Sequence, residues 1–319
     1  MELQEYLKYV SSRVNEFMEE LVRGEPKEIY EAAMHLIRAG GKRLRPAIAM
    51  LSGRIAGGAE GEENALPGAA AVEIFHNFTL IHDDIIDRDE FRRGVPTVHK
   101  LWGVELAIVA GDLLYAYAYK ALLKALDRGL DSNRVNKALN FLTEAAVKVA
   151  EGQARDLLLP RVESPDVEDY ILMVEGKTAA LFVASAAIGA VLGGGDEDLI
   201  KKLCGVTRLA GIAFQIRDDI LGLVADEKTL GKPVYSDLRE GKRTILVIYA
   251  LKNLDPEGRR FLLSVLGNKN ASRSELAKAA KLIESTGAVS YADKLAEEYA
   301  RKSLSILDEV GQRARDEEG

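Results

Sequence analysis

Apolar residues recur along this chain at intervals of three and four, and no run of residues alternates convincingly enough to read as a strand. Proline and glycine fall at the joints between the periodic segments. Pro26 opens a helix predicted to close at Gly40-Gly41, Pro46 one that closes at Gly57-Gly58, and Pro67 a long central helix running to about Asp87. Further segments span about Val104 to Leu126, Asn133 to Leu158, Asp166 to Leu192, Asp196 to Val224 and Lys242 to Leu251. Shorter ones lie near Glu257 to Leu266, Ser274 to Ser285 and Val289 to Val310. No composition break or flexible linker separates two halves, so residues 1–319 read as one all-α domain, a single large helical bundle.

Composition narrows the function classes. A chain of 319 residues can bury a substantial core, and its net charge of -7 argues against a general nucleic-acid binder. A single cysteine, Cys204, excludes an internal disulfide framework and a cysteine metal site, which fits a cytoplasmic protein. The first residues, MELQEYLKYV, carry charge from the second position, so no signal peptide is expected. The uncharged stretch from Thr178 to Gly195 is short and rich in small residues, which predicts a buried core helix and no membrane span.

The chemistry centres on Glu73 to Gly94, EIFHNFTLIHDDIIDRDEFRRG. Here an apolar helix ends in Asp83, Asp84 and Asp87, with Asp89 and Glu90 behind them. Carboxylates at a helix C-terminus oppose its dipole, and like charges four residues apart add roughly 0.2 to 0.5 kcal/mol of repulsion. Cations should compensate them. Asp83 and Asp87 share one face, and hard oxygen ligands with open coordination positions suit Mg²⁺ held jointly with a phosphate-bearing substrate. His76 lies on the same face but about 10 Å up the helix, too far for the same ion. It is placed to donate to a second anion. A second acidic cluster, FQIRDDILG, sets Gln215, Asp218, Asp219 and Gly222 at i, i+3, i+4 and i+7 near the end of another apolar helix. Two such clusters in one bundle strengthen the metal reading.

The basic residues sit at turns and helix ends. GGKRLRP puts Lys42, Arg43 and Arg45 in a glycine-led turn before a helix, a site suited to a diphosphate. Arg92, Arg93, Lys177-Thr178, Gly231-Lys232 and Lys242 add further cations. His35, His82 and His99 read as structural.

In these motifs the chain resembles the trans-isoprenyl diphosphate synthases. The likeness runs from about Tyr30 to Leu251, through GGKRLRP, HNFTLIHDDIID with RR following, GQARDL, EGKTAALF, FQIRDDILG, LGKP and DLREGKRT. The resemblance implies the isoprenoid synthase bundle, a homodimer, with a deep central cavity. It implies Mg²⁺-dependent head-to-tail condensation of an allylic diphosphate with isopentenyl diphosphate, with two or three ions bound beside the substrate diphosphate. By motif, Asp83, Asp87 and Asp218 would bind Mg²⁺, with Asp84 beside them. Arg92, Lys177 and Lys232 would grip the allylic diphosphate. Lys42, Arg45, His76 and Arg93 would hold isopentenyl diphosphate, with Lys242 a further cation. Thr178 and Gln215 would direct oxygen dipoles at the allylic cation. The family's second acidic motif commonly ends in a third aspartate, where this chain has Gly222.

An aromatic residue five positions before the first acidic motif without one at the fourth, here Phe78 and Thr79, resembles the family's short-chain enzymes that stop at geranylgeranyl diphosphate. A helical wheel instead brings Thr79 nearer the Asp83 face. Phe78 is taken as the chain-length floor, with the adjoining helix supplying the rest. A farnesyl or mixed synthase is the alternative. A metal-dependent phosphohydrolase leaves the second acidic cluster and the GGKRLRP turn unexplained, and a non-catalytic partner subunit would show damaged motifs.

Overall fold

The computed structural model describes residues 2–224 and 235–317, with side chains as far as Gly311. In chain order the helices are α1 (Leu3–Leu21), α2 (Lys27–Arg38), α3 (Leu44–Asp87), α4 (Val98–Trp102), α5 (Val104–Asp127), α6 (Ser132–Leu158), α7 (Val167–Val174), α8 (Ala180–Gly193) and α9 (Glu197–Val224). Then follow α10 (Ser236–Glu240), α11 (Ile245–Asn253), α12 (Pro256–Val265), α13 (Arg273–Ser285) and α14 (Ala288–Glu317). Among the described residues the only sheet is a two-residue hairpin, β1 (Phe91–Arg92) with β2 (Val95–Pro96). The fold is all-α, as the periodicity predicts.

The chain forms two compact units. One comprises Met1–Ala146 and Leu181–Gly205, the other Val147–Ala180 and Val206–Gly319.

In the first unit α3 packs against α1, α2 and α5. Helix α1, absent from the sequence reading, is set by a Glu2/Glu5 capping box and buries Tyr6, Val10, Val14 and Met18, one residue per turn. The Tyr6 hydroxyl donates to Glu62 on α3 at 2.7 Å. Helix α3 begins at Leu44, so Pro46 stands in its first turn, where a missing N–H is tolerated. Its axis breaks at Gly57 and Gly58, as expected. Gly58 has φ +64°, and a Cβ on Gly57 would lie 2.3 Å from the Gly193 carbonyl oxygen, so neither position accepts a side chain.

Pro67 does not open a helix. It lies inside α3, buried with Ala65, Leu66, Gly68, Ala69, Ala70 and Ala71 around it. Burial of that continuous apolar face outweighs the local cost of the proline. Helix α8 is the buried core helix predicted for the uncharged stretch, with Leu181, Phe182, Ile188 and Leu192 all nearly inaccessible. By length and composition alone, Val104–Asp127 and Val167–Gly193 would each suffice to cross a membrane.

The second unit has its own core, in which Tyr170, Ile212, Ile216, Leu246 and Ile283 pack together. Between α7 and α8 the helix widens to a π-turn at Glu175–Ala179, a one-residue insertion that periodicity does not reveal.

Candidate active site

In the first unit the two acidic neighbours at the end of α3 have different surroundings. Asp83 and Asp87 are half-buried on one face of the last turns. Asp84, about 100° around the helix, is fully buried and pairs with the Arg92 guanidinium. Burial pushes the Asp84 carboxyl up to about 7, against the pull of Arg92, and its second oxygen has no partner. Asp84 therefore anchors Arg92, which also reaches Asp89 at 3.5 Å.

Arg92 and Arg93 are carried by the hairpin, whose two-residue loop has φ +54° at Arg93 and +77° at Gly94. Positive φ at both loop positions is the tight-turn geometry that matches strand twist. The sequence shows the Gly94 turn but not these strands.

Lys42 is exposed in the glycine turn. Arg45 is half-buried, with its guanidinium 4.5 Å over the Phe182 ring and Nη1 donating to His76 Nε2 at 3.3 Å. Burial lowers Arg45 to about 10, and its Nε is enclosed without a partner. His76 is held well below the ordinary imidazole range by burial and then by Arg45 and Arg93, so it is neutral and accepts through Nε2. Arg93 donates to the Leu36 carbonyl at 2.7 Å and to Asn77 Oδ1 at 3.2 Å. Arg43 differs from the sequence expectation: its side chain is 0% exposed and forms an ion pair with Glu73 at 2.7 Å, which removes it from the surface row of cations.

Phe78 lies among aromatic rings, with centroids 5.2 Å from Phe75, 5.3 Å from Tyr115 and 4.9 Å from His82. Tyr115 continues the cluster to Tyr119. Thr79 turns its hydroxyl back to the His76 carbonyl at 2.7 Å. His35 and His82 bond the carbonyls of Pro96 and Ile108, the structural roles expected of them.

In the second unit a polar chain runs through the π-turn. Lys177 Nζ reaches Asp156 at 2.6 Å, and the Thr178 hydroxyl donates to Gln215 Oε1 at 2.8 Å. Gln215 Nε2 donates to Asp219 at 2.8 Å, and Asp219 accepts from the Tyr170 hydroxyl at 2.7 Å. The widened turn aims Lys177 and Thr178 at these separate partners. The backbones cross closely here, since a Cβ on Gly152 would lie 2.0 Å from the Lys177 nitrogen. Asp156, four residues after Gly152 in GQARDL, is thereby brought to Lys177, a partnership the sequence does not show. Tyr170 was likewise unmarked, because in sequence it is one more apolar helix position.

Asp218 is exposed, whereas burial, followed by the charge of Asp237, pushes Asp219 up to about 7. Lys242 pairs with Glu240 at 2.7 Å. Lys232 and its Gly231 lie outside the described residues.

Among the described residues no three His, Cys, Asp or Glu side chains form a preformed metal cage. A pair of half-buried carboxylates one turn apart instead offers hard oxygen donors with coordination positions left for phosphate and water. That donor set fits Mg²⁺.

Comparison with known proteins identifies the family of the chain. The polyprenyl synthetase family profile matches residues 26–283. A geranylfarnesyl diphosphate synthase of Aeropyrum pernix is 48% identical over 285 residues, covering 89% of this chain and 88% of that protein. A geranylgeranyl diphosphate synthase of Saccharolobus solfataricus is 44% identical over 309 residues, covering 97% and 92%. The crystal structure of geranylgeranyl pyrophosphate synthase from Corynebacterium glutamicum, complexed with isoprenyl diphosphate and magnesium, superposes with a TM-score of 0.87 at 30% identity, covering 99% of this chain and 98% of that one. Matched by that profile over most of its length, the chain belongs to the polyprenyl synthetase family.

Proposed function

We propose that this trans-prenyltransferase extends allylic diphosphates with isopentenyl diphosphate, in a Mg²⁺-dependent head-to-tail condensation that ends at geranylgeranyl diphosphate. The observation that carries the two-substrate reading is Arg45. A guanidinium half-buried over Phe182, with an enclosed and unpartnered Nε and a neutral His76 beside it, is a receptor waiting for an anion. Lys42 and Arg93 complete that receptor, which is assigned to isopentenyl diphosphate.

Asp83 and Asp87, with Asp218, would hold two or three Mg²⁺ ions together with the allylic diphosphate. When bound, the metal supplies positive charge to the leaving diphosphate as the allylic C–O bond breaks. Arg92, Lys177 and Lys232 would share that role as cations. Thr178 donates its proton to Gln215 Oε1 and Gln215 Nε2 donates one proton to Asp219, which leaves lone pairs of the Thr178 hydroxyl and one of Gln215 Oε1 to face an allylic cation. The departing diphosphate is assigned the final proton. The aromatic floor at Phe78 limits the product.

A second copy of the chain is proposed to cover the exposed apolar face of α5, where Val104, Ile108 and Val109 are each more than two-fifths exposed. The lone cysteine supports a cytoplasmic location.

Steady-state kinetics of two variants test the two-site assignment. Arg45→Ala is expected to raise KM for isopentenyl diphosphate far more than KM for the allylic substrate, and Lys232→Ala to act on the allylic side and on kcat. The same pattern in both variants would refute the assignment.

A further inference from the structure

Arg43 occupies the middle of the basic turn, yet its charge is directed inward. Nε donates to Asn15 Oδ1 at 3.1 Å, Nη1 to Glu73 Oε1 at 2.7 Å and to the Gly40 carbonyl at 3.3 Å, and Nη2 to the Ile37 carbonyl at 2.6 Å. Four such bonds from one guanidinium tie α1, the end of α2, the glycine turn and the second half of α3 to a single side chain. Glu73 has a side chain only 3% exposed and accepts a second bond from Asn77 Nδ2 at 3.1 Å. The same Asn77 amide presents its oxygen to Arg93 Nη1 at 3.2 Å. A continuous relay therefore runs Arg43, Glu73, Asn77, Arg93, buried as far as Asn77 and half-buried at Arg93.

The backbone shows why the relay is needed. Arg43 and Arg93 have φ of +49° and +54°, a left-handed conformation that side-chain-bearing residues adopt at a cost. Between them lies Gly41, where an added Cβ would sit 3.1 Å from Arg93 Cζ and 3.3 Å from Arg43 Nη1. Two guanidinium groups thus flank one turn and would repel each other without the Glu73 carboxylate. That carboxylate also favours the protonated forms of Arg45 and Arg93 against their burial.

We propose that Arg43, Glu73 and Asn77 are positioning residues that fix Arg93 and the Gly40 to Lys42 turn, so that Lys42, Arg45 and Arg93 converge on isopentenyl diphosphate. The inference rests on the reading of Arg45, His76 and Arg93 as that substrate's site. None of the three positioning residues touches the substrate. Each acts through the conformation of a cation that does.

The test is a double-mutant cycle between Asn77→Ala and Arg93→Ala, with KM measured for both substrates and thermal melts recorded for every variant. Asn77→Ala is expected to raise KM for isopentenyl diphosphate about tenfold, the order of one charge-assisted hydrogen bond, and to leave the allylic KM within about twofold. The double variant is expected to be no weaker than Arg93→Ala alone, because Asn77 has nothing left to position. Arg43→Lys keeps the charge but cannot hold four partners, and should show the same selective rise. If that variant does not fold, the Asn77 cycle decides alone. Additive effects, or equal rises in both KM values, would overturn the relay. Arg45→Ala serves as the comparator: if it leaves KM for isopentenyl diphosphate unchanged, the substrate assignment fails and not merely the relay.

Discussion

Replacing Gly222 by aspartate supplies the third carboxylate that the second acidic cluster lacks, and the structure argues that the exchange lowers stability. A Cβ at Gly222 would lie 3.0 Å from Asp237 Oδ2, so Asp237 already occupies the space a third carboxylate would enter. Asp219, three residues earlier on α9, is buried and already destabilised as an anion by the charge of Asp237. Two carboxylates about 4 Å apart repel by ~1 kcal/mol in bulk water and ~4 kcal/mol at the dielectric typical near a protein surface. Aspartate regains only roughly 0.3 to 0.5 kcal/mol over glycine in helix propensity. A net loss of about 1 to 3 kcal/mol follows for the metal-free protein, or a Tm lower by about 2 to 4 °C for a chain of this length. The assay is calorimetry of Gly222→Asp, Asp237→Asn and the double variant in EDTA. Removing the Asp237 charge should return most of the stability that Gly222→Asp loses. Activity of Gly222→Asp should change only a few-fold, because Asp218 already supplies an exposed oxygen one turn earlier. Wild-type stability in Gly222→Asp, or a loss unaffected by Asp237→Asn, would refute the reasoning. A hundredfold gain in rate would show that the missing carboxylate had been limiting.

Asp83→Ala and Asp218→Ala should each lower kcat by several orders of magnitude while the protein stays folded, measured as turnover beside circular dichroism, since each removes an anion from a repulsive cluster. Phe78→Ala should yield products longer than geranylgeranyl diphosphate on chromatography. If Phe78 is only core packing, the variant instead loses about 3 to 5 kcal/mol of stability and makes the same product. His76 stays neutral in the native state below the pH at which the unfolded chain protonates it, near 6.5. The unfolded state then binds more protons, so stability falls as pH drops below about 6.5 until the native imidazole titrates, and His76→Gln should flatten that part of a denaturation-against-pH profile.

The all-α fold and most helix ends were legible because glycine and proline act locally, as at Gly57-Gly58 and at the start of α2. Pro67 shows the limit of that reading: burial of the surrounding alanines, a tertiary effect, carries the helix through it. The π-turn at Glu175–Ala179 shifts the register by one residue, which periodicity averages away. Within the candidate site the residue types were legible but their directions were not. Lys42, Arg43 and Arg45 look alike in sequence, and Arg43 turns inward because Asn15, the Ile37 carbonyl and the buried Glu73, thirty residues on, accept its protons. Asp83 and Asp84 are separated by the helix wheel alone, which points Asp84 toward the protein interior. Asp156 and Tyr170 became visible only when the crossing at Gly152 and the packing of α7 supplied Lys177 and Asp219 as their partners.

The most direct test of the account is to incubate the purified protein with isopentenyl diphosphate and, in turn, dimethylallyl, geranyl and farnesyl diphosphate, with Mg²⁺ or with EDTA, and to size the products. The account expects elongation with Mg²⁺, accumulation of geranylgeranyl diphosphate from each starter, and no turnover in EDTA. Robust turnover in EDTA would contradict the metal assignment, a dominant product of another length would contradict the Phe78 floor, and release of inorganic phosphate without elongation would contradict the reaction itself.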